Sequence, residues 1–592
     1  MKTEIVPNSK IAARAYQGDA MTMLVFDLLT ENAKQDFVGF TIEFKNETML
    51  DFKALNNRIG FTAEKKTHSS TEAPFQKFRW LHVLRNFGKN SETPFFGNYQ
   101  YRITPRYFSA GTLVAFNSND SVTLTIHVAP FKKDETQISF TRGFLVSQAY
   151  TDRFGPNGNI RPKAAEVIFE PKNTLNDIFT KPHLPADFPA TIAPYNYEEQ
   201  YAWMGFNARK AIMDFINEVV DVEDKKLDVL AYDFSEPTIA QLFVDLSRQG
   251  RIRMFLDNHD KSKADEDMSK KNDPVFKQQF VKLFDQAKSP LVQHHFVRLA
   301  HCKILIQRDK NNKVIKVLTG STNFTANGIN INANHILILT QPKALELYEQ
   351  LFEESILESP QKRFKNSELA KGMNKINDTM SVSFSPHTEA IAKEILGIVN
   401  TKILSAEKSV FFAVMELSST GSVTETLRNI HLNPNILTMG ITDLKSGDGD
   451  IKVKLYEPKS TKGVLINGKQ SPKIMPPPFA EEVGIGLGHE VHHKFVVVDF
   501  NTPNAAVFCG SSNLAQGGEE SNGDNLLMIT DPDIVAVFAI EAIRLIDHYQ
   551  FRNRQAESND GSPLILKTDN IWYQKYFDPT DLYYLDKKVF MS

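Results

Sequence analysis

The sequence predicts an α/β protein with two similar halves, preceded by an all-β, sandwich-like N-terminal domain. Three observations predict this fold class. The first 160 residues are rich in short strand patterns, strands alternate with helices from about residue 200, and a block of about 28 residues occurs twice. We therefore predict a β-rich domain at 1–160, a linker at 161–199, a first half at 200–375, and a second half with an aromatic C-terminal tail at 376–592.

The composition excludes several classes of protein. With 41% hydrophobic and 23% charged residues, the chain is neither collagen-like, coiled-coil nor disordered throughout. No apolar run approaches the length of about 18 residues that a spanning helix needs, and the first residues lack a secretory-signal pattern. Two cysteines suit a reducing compartment. We predict a cytoplasmic protein without a transmembrane segment, and a signal-independent export route would leave the same pattern.

The N-terminal segment contains several runs rich in Val, Ile, Thr and Phe, separated by turn residues. Examples are FVGFTIEF, SVTLTIHVAP and TQISFTRGFLV. Their short spacing is typical of a β-sandwich. We find no catalytic constellation among them. The proline-rich stretch KPHLPADFPATIAP then marks a domain boundary.

The pattern changes near residue 200. A helical stretch is followed by the strand KLDVLAYDF, the helix PTIAQLFVDLSRQG and the strand RIRMFLDN. From about residue 390 a helix-then-strand pattern begins again with EAIAKEILGIVNTKIL and SVFFAVMEL. This alternation indicates α/β sheets with helices on their faces.

The two repeated blocks run from His301 to Gly328 and from His492 to Gly518. Each consists of His-x-Lys, an apolar run, a polar turn, a second apolar run and Gly-Ser-x-Asn. The His-to-Asn interval is 22 residues in the first block and 21 in the second. This agreement predicts an internal duplication.

Each block places an imidazole, an ammonium and an amide together. Residues i and i+2 of a strand share a face, and the apolar runs after them predict buried parallel strands. Two blocks facing each other would suit a phosphate diester, because their donors stabilise the charge of the transition state without a metal ion. The predicted oxygen-binding residues are Lys303, Lys494, Asn323 and Asn513, assisted by Ser321 and Ser511, with Gly320 and Gly510 allowing the sharp turns. We predict no metal and no cofactor.

The segments HHKFVVVD and GSSN resemble the signature of the phospholipase D superfamily. His492, Lys494 and the supporting residue Asp499 match it completely, and HCKILIQRD with GSTN is a near match. The resemblance covers roughly residues 200–592. It implies one pseudo-dimeric catalytic unit formed by two phospholipase D-like halves. It also implies phosphohistidine chemistry, with His301 as nucleophile and His492 as acid and then base.

The first block departs from the signature. Arg308 stands where the signature has aspartate, and Asp309 comes one residue late. A degenerate and inactive first half would turn the protein into a binding module. The intact His301 and Lys303 argue against that alternative.

A second asymmetry follows each block. Eleven residues beyond the block's asparagine lies Asp524 in one half and Asn334 in the other. The resemblance implies that a carboxylate near this place bonds a catalytic histidine, which stabilises imidazolium. From the spacing we predict His492 with Asp524 and His301 with Asn334.

The signature selects a diester but not the groups attached to it. Our first hypothesis is hydrolysis or transfer of a phospholipid head group, with peripheral membrane contact. A nuclease is the alternative, and the net charge of −3 gives little support to a basic groove. A metal site on His489, His492 and His493 is a further alternative, but no carboxylate or cysteine cluster completes it. The sequence leaves the oligomeric state open.

Overall fold

A computed structural model gives the structure of the chain. It describes residues 1–62, 68–84, 94–142, 153–154, 180–182, 193–258, 273–287, 289–357, 363–415, 417, 421–443, 463–467, 491–557 and 564–592. Most of the predicted linker at 161–199 lies outside the described residues. His489 and most of the long segment before the second block lie outside them as well.

The N-terminal domain consists of short antiparallel strands. Its elements are β1 (Val6–Pro7), β2 (Ile11–Gln17), β3 (Met21–Leu28), α1 (Glu31–Lys34), β4 (Phe37–Asn46), β5 (Lys53–Ala54), β6 (Asn56–Asn57), β7 (His68–Ser69), β8 (Arg79–Val83), β9 (Gly97–Ser109), β10 (Thr112–Leu113) and β11 (Val122–Val128). One sheet has the order β1-β2-β3-β8 and a second has the order β10-β9-β4-β5, with β11 beside β9. Side chains from both sheets share one core, as expected for a sandwich.

The first half is a mixed sheet with helices. Its elements are β12 (Phe131–Lys133), β13 (Thr136–Phe140), α2 (Tyr197–Val220), β14 (Lys226–Ala231), α3 (Pro237–Arg248), β15 (Ile252–Asp257), α4 (Asp273–Asp285), β16 (Leu291–His294), β17 (Lys303–Arg308), β18 (Val314–Gly320), β19 (His335–Leu339) and α5 (Pro342–Ser355). The strand order is β12-β13-β19-β18-β17-β14-β15-β16. A π-helical turn, Asn327–Ile331, precedes β19.

The second half repeats this topology. Its elements are β20 (Asn374–Asn377), β21 (Met380–Phe384), α6 (Glu389–Leu404), β22 (Ser409–Val414), α7 (Ser422–Asn429), β23 (Leu437–Thr442), β24 (Gly463–Asn467), β25 (Lys494–Val498), β26 (Ala506–Gly510), α8 (Gln516–Ser521), β27 (Asn525–Ile529) and α9 (Pro532–Glu557). The strand order is β20-β21-β27-β26-β25-β22-β23-β24, so every strand has a counterpart in the first half. The topology supports the predicted duplication.

Two features differ from the sequence-based expectations. The hairpin β12–β13 falls within the segment predicted as the N-terminal domain, but β13 pairs with β19 of the first half. The strands after each His-x-Lys are buried as predicted, but they are antiparallel to both neighbours: β17 pairs with β14 and β18 in this way. Parallel pairing is confined to β14-β15-β16 and β22-β23-β24 among the strands described above.

One large core joins the two halves. It contains apolar side chains from β17 and β19 of the first sheet, from β25 and β27 of the second, and from α5 and α9. The opposite face of the first sheet is covered by α2 and α3, and that of the second by α6 and α7. Because both faces of each sheet are buried, the relative position of the halves is fixed by packing.

The aromatic tail connects the sandwich to the second half. It contains α10 (Ile571–Gln574) and α11 (Leu582–Met591). Tyr573 and Tyr576 belong to the sandwich core, whereas Phe590 stacks on Phe411 of β22 with ring centroids 5.8 Å apart. None of the helices in the described ranges is both long and apolar enough to cross a membrane.

Candidate active site

The two repeated blocks meet at the interface between the halves. The backbone N–H of His492 donates to the carbonyl of Ala333 at 3.0 Å, and that of Gly523 donates to Leu299 at 2.7 Å. The first bond joins His492 to the segment before β19. The second bond joins the segment before β27 to the residues just before His301. The blocks are therefore brought onto one buried surface, as the sequence predicts.

The pairing of the histidines is crossed between the halves. His301 Nδ1 lies 2.7 Å from Asp524 Oδ1, and His492 Nδ1 lies 2.9 Å from Asn334 Oδ1. The prediction of His492 with Asp524 and His301 with Asn334 is therefore wrong. It assumed partners within one half, but the segments before β19 and β27 reach across the interface to the other half's histidine.

Burial and Asp524 together define the state of His301. Burial lowers the pKa of His301 to about 4, against the opposing effect of the Asp524 carboxylate and with a further lowering by Lys303. The pKa of Asp524 is held below its usual value by His301 and Lys303 despite burial, so the carboxylate is ionised. It accepts the Nδ1 proton, and Nε2 is left with its lone pair.

Ser511 and Ser321 fix the two partners of the histidines. The Ser511 hydroxyl donates to Asp524 Oδ1 at 2.7 Å, and the Ser321 hydroxyl donates to Asn334 Oδ1 at 2.8 Å. The amide nitrogen of Asn334 donates to the carbonyl of Gly328 at 2.8 Å, so its oxygen is the atom that faces the histidine. The predicted supporting serines therefore each bond the residue that partners a histidine.

The two lysines are buried, and they lie close enough for the charge of Lys303 to affect Lys494. Burial lowers the pKa of Lys303 to about 8, although Asp524 opposes this. Burial and the charge of Lys303 lower the pKa of Lys494 well below its usual value. Each Nζ donates to the carbonyl of the histidine two residues before it, at 3.0 Å for Lys494. An anion bound here would relieve the repulsion between the lysines.

In the described structure, the asparagine of each Gly-Ser-x-Asn segment has a hydrogen-bond acceptor without a partner. Among the described residues, the Oδ1 atoms of Asn323 and Asn513 are buried and have no hydrogen-bond partner. A buried polar atom without a partner is costly and often marks a ligand-binding site. An amide oxygen only accepts hydrogen bonds, so these atoms suit a donor such as a hydroxyl group, and binding of the nonbridging oxygens as predicted would fall to the Nδ2–H groups.

The glycines before these serines allow two strands to approach closely. Gly320 has φ 147° and Gly510 has φ 141°. A Cβ atom at Gly320 would lie 2.3 Å from the carbonyl oxygen of His335, and one at Gly510 would lie 2.4 Å from that of Asn525. Only glycine fits without a shift of the backbone.

We expect Gly510→Ala to lower the free energy of unfolding by about 1–3 kcal/mol, because alanine at this φ is strained and meets a carbonyl oxygen. The matched control is Gly397→Ala within α6, where an added Cβ would have no heavy atom within 4 Å. This control should raise the free energy of unfolding by up to about 1 kcal/mol. Urea unfolding of both variants checks the pair, and equal stability would contradict the role of Gly510.

Asp499 of the signature lies at the far end of β25 from His492. Its carboxylate accepts the backbone N–H groups of Glu407, Lys408 and Ser409 at 2.9, 2.8 and 3.2 Å. It thus caps the start of β22 and supports the site only through the fold. At the corresponding end of β17, Arg308 binds Asp228 at 2.6 Å. The departure of the first block from the signature therefore lies outside the pocket.

Two side chains near the site were missed in the sequence. Tyr232 follows β14, with its ring centroid 4.9 Å from that of His301 and 5.0 Å from Lys303 Nζ. Asp257 ends β15 and accepts the N–H of Ala300 at 2.7 Å. Both lie at the carboxyl ends of strands that the sequence predicted, the usual place for functional residues in α/β sheets, so this position was an available signal.

A metal centre has no support in the described part of the chain. It contains no group of three or more His, Cys, Asp or Glu side chains arranged to hold an ion. His493, part of the metal alternative, is instead engaged by Glu541 at 3.2 Å and lies against His335.

The fold and the site define the class of protein: two α/β halves of one topology that bury two histidines and two lysines where they meet. Residues 218–356 and 399–546 match the family described as "Cardiolipin synthase, PLD-like domain". The chain belongs to the phospholipase D superfamily, a family of phosphodiesterase type. No curated protein matches the chain in a sequence search.

Several solved structures are similar to the chain. Polyphosphate kinase from Porphyromonas gingivalis is 12% identical with a TM-score of 0.38, over 57% of this chain and 48% of that one, so the match spans about half of the kinase. Phosphatidylserine synthase from Haemophilus influenzae Rd KW20 is 11% identical with a TM-score of 0.38, over 65% and 93%. Nuc from Salmonella typhimurium, a phospholipase D family member, is 20% identical with a TM-score of 0.19, over 24% and 85%.

Proposed function

We propose that this protein is a metal-independent phosphodiesterase of the phospholipase D type that hydrolyses or transfers a phospholipid head group through a phosphohistidine on His301. One observation carries the proposal. His301 is held through Nδ1 by a buried carboxylate of the other half, which leaves Nε2 as a nucleophile in a pocket with two buried lysines. The N–P bond makes the ring cationic, and Asp524 balances that charge.

In the first step, His301 Nε2 attacks phosphorus, the bond from phosphorus to the head-group oxygen breaks, and His492 gives a proton to the departing alcohol. His492 is then the base for the oxygen nucleophile. In the second step, water or an alcohol attacks the phosphorus, His492 takes its proton, and the N–P bond breaks with its electron pair returning to His301 Nε2. Lys303 and Lys494, with the amides of Asn323 and Asn513, bind the nonbridging oxygens. These groups are held in place before the reaction, which is how electrostatic stabilisation of a transition state is most effective.

Two indirect observations favour a phospholipid as the substrate. The family description names a lipid-synthesising enzyme, and the chain carries a slight excess of acidic residues, 71 against 68 basic. A nucleic-acid groove would be expected to be basic, with binding that weakens steeply as salt rises. A lipid substrate implies peripheral contact of this protein with a membrane or micelle surface.

An assay with both substrate classes tests the proposal. Purified protein is incubated with mixed phospholipid vesicles and, separately, with single- and double-stranded DNA and RNA. Release of choline, ethanolamine, glycerol or nucleotide is then scored, with His492→Ala as the control. We expect head-group release that the control lacks. Turnover of nucleic acid alone would replace the lipid proposal with a nuclease, and binding without turnover would support a binding module.

We expect a bell-shaped pH profile of kcat/KM. His301 must be neutral to attack, and its pKa of about 4 sets the acid limb near pH 4. Lys303 and Lys494 must both be protonated to bind the phosphate, so the pKa of about 8 at Lys303 and the lowered pKa of Lys494 place the alkaline limb at or below about pH 8. Initial rates across this range check the profile, with circular dichroism at each pH to exclude unfolding. An acid limb near 6.5 would contradict the buried, neutral nucleophile.

A further inference from the structure

A second pair of histidines lies next to the candidate catalytic pair. His493 follows His492 in the chain, and His335 follows Asn334, the residue that bonds His492. The rings of His335 and His493 stack with their centroids 5.4 Å apart, and both side chains are fully buried. The mechanism proposed above gives neither ring a role, although burying a polar ring is costly unless its nitrogens are hydrogen-bonded.

The hydrogen bonds of this second pair define which nitrogen carries each proton. The backbone N–H of Gly510 donates to His335 Nε2 at 3.2 Å, so the proton of a neutral His335 lies on Nδ1. That Nδ1 is 3.1 Å from His493 Nδ1 and 3.2 Å from the Ser321 hydroxyl. His493 Nδ1 therefore faces a donor, and its own proton lies on Nε2. His493 Nε2 donates to Glu541 Oε1 at 3.2 Å, so every ring nitrogen of the pair has a partner.

The protonation states agree with this direction. Burial lowers the pKa of His335 well below its usual value, and the nearby His493 and Lys494 lower it further. Burial also lowers the pKa of His493, against the opposing effect of Glu541. Burial raises the pKa of Glu541, but Arg544 and His493 outweigh this and bring it below its usual value. Two neutral rings are thus joined to an ionised carboxylate, which is a strong acceptor.

The chain from His335 through His493 to Glu541 anchors the segment that carries His492. This segment comes just before β25, and the backbone N–H of His492 bonds the Ala333 carbonyl of the first half at 3.0 Å. The His493 side chain adds a second anchor one residue later, on partners that differ from those of His492. The position of the His492 backbone is therefore held from both sides of the interface.

The other half shows that the fold does not need such a chain. The positions equivalent to His493, His335 and Glu541 are Cys302, Asn525 and Leu351. The first follows the block's histidine, the second begins the last strand of its sheet, and the third lies nine residues beyond the proline that begins the next helix (342 to 351 and 532 to 541).

Apolar packing is sufficient at the equivalent junction, where Cys302 and Leu351 belong to the core that joins the halves. Replacement of buried charged groups by apolar side chains is often neutral or stabilising. The polar chain beside His492 therefore points to a role other than stability.

We infer that His493, held by His335 and Glu541, is a positioning residue for His492. It acts without touching the substrate, by fixing where the His492 imidazole lies relative to phosphorus. The inference rests on the proposed phosphohistidine function and adds a residue to it. In that function His492 gives a proton to the departing alcohol and later takes one from the attacking oxygen. A displacement of about 1 Å can cost about 10²-fold in rate, so these proton transfers are the events that His493 controls.

A labelled ester with a good leaving group separates the two steps. 4-Nitrophenol departs as an anion without a donated proton, so the phosphoenzyme forms without help from His492, whereas its hydrolysis still needs His492 as base. The probes are the 4-nitrophenyl esters of phosphatidic acid, in mixed micelles, and of thymidine 3′-phosphate, each labelled in the retained phosphoryl group. Rapid quench gives the rate constants of label formation and release, and label from either ester is sufficient for the comparison.

Three substitutions of His493 test its bonds one at a time. His493→Phe removes both bonds, and we expect label formation within about threefold of the unaltered protein but release about 10- to 100-fold slower. His493→Gln retains a donor towards Glu541, the stronger bond, so release should return to within about fivefold. His493→Asn retains only the bond to His335 and should stay slow. His387→Phe is the matched control at another buried imidazole of the second half, and both rates should be unchanged.

A double variant shows if His493 acts through His492. His492→Ala combined with His493→Phe should release label no more than about threefold more slowly than His492→Ala alone, because the positioned group is already absent. A further slowing as large as that of His493→Phe alone would mean that the two residues act independently, and it would overturn the inference.

The outcomes separate the inference from the proposed function. Equal slowing of formation and release in His493→Phe, or unchanged release, would overturn the inference and leave the phosphohistidine proposal standing. Absence of phosphoenzyme from both esters in the unaltered protein would overturn the proposed function, and the inference with it. If His493→Phe does not fold, the polar variants decide: slower release in His493→Asn than in His493→Gln supports the inference, and equal release overturns it.

Discussion

His301→Ala is expected to form no labelled phosphoenzyme and to lose about 10⁴-fold or more of its turnover rate, the scale seen when a catalytic nucleophile is removed. The physical reason is that Nε2 of His301 is the atom that bonds phosphorus. Its orientation depends on the bond from Nδ1 to Asp524 at 2.7 Å, whereas His492 bonds the amide oxygen of Asn334. The measurement is acid-quenched labelling with substrate radioactive in the retained phosphoryl group.

The complementary variant distinguishes the two histidines. His492→Ala retains His301 and Asp524, so an activated ester should still label the protein, but release of the label should be slow because no base serves the second step. Retention of label in His301→Ala with its loss in His492→Ala would reverse the two roles. Loss in both would indicate that the first step also needs His492.

A buried histidine outside the pocket serves as the control. His387 is fully buried and bonds the hydroxyl of Ser383 at 2.8 Å and the carbonyl of Ala370 at 2.7 Å. His387→Asn removes an imidazole of similar burial from the second half. The link of His387 to a catalytic block runs through Glu519, which lies 3.6 Å from Nε2 and one residue beyond the second block. Labelling normalised to folded protein should stay near that of the unaltered chain, which separates loss of chemistry from loss of structure.

The general fold was predictable because the information was local or repeated. Two blocks with intervals of 22 and 21 residues predicted two equivalent halves, and both sheets have the same strand order. The orientation of strands was less accessible. A strand buried on both faces is apolar throughout whether its neighbours are parallel or antiparallel, so ILI and FVVV could not show that β17 and β25 are antiparallel. The run TQISF likewise resembles its sandwich neighbours, and only the pairing of β13 with β19 reveals its sheet.

The sequence predicted which residues form the candidate site, but not which hydrogen bonds join them. His301, Lys303 and their counterparts were found because the spacing repeats. Spacing along one chain cannot show that Asp524 crosses to His301, since that depends on how two sheets pack. The same limit applies to Arg308, because its structural role depends on Asp228, which lies 80 residues away in the sequence.

Restoring the signature by Arg308→Asp is expected to lower the free energy of unfolding of the first half by several kcal/mol. Arg308 is 2% exposed, and its Nε donates to Asp228, which is 1% exposed. Arg253 holds the same carboxylate, with its Nε 2.7 Å from Oδ1. The substitution removes one of the two cations and places a second carboxylate beside Asp228 in a site that excludes water. Removal of one partner from a buried ion pair costs about 3–5 kcal/mol, and the repulsion between the two carboxylates adds to this.

The control for this variant carries the same change of charge at an exposed site. Lys310 is exposed in the turn that follows β17, so Lys310→Asp reverses a positive charge two residues away without burying it. Urea unfolding of the two variants should show a loss of several kcal/mol for Arg308→Asp and a change within about 0.5 kcal/mol for Lys310→Asp. Equal stability of the two would mean that the buried site can accept the aspartate of the signature. Asp499 in the second half accepts backbone N–H groups, whereas Arg308 in the first half binds a carboxylate. An aspartate placed at 308 would therefore meet Asp228 instead of the N–H groups that Asp499 binds.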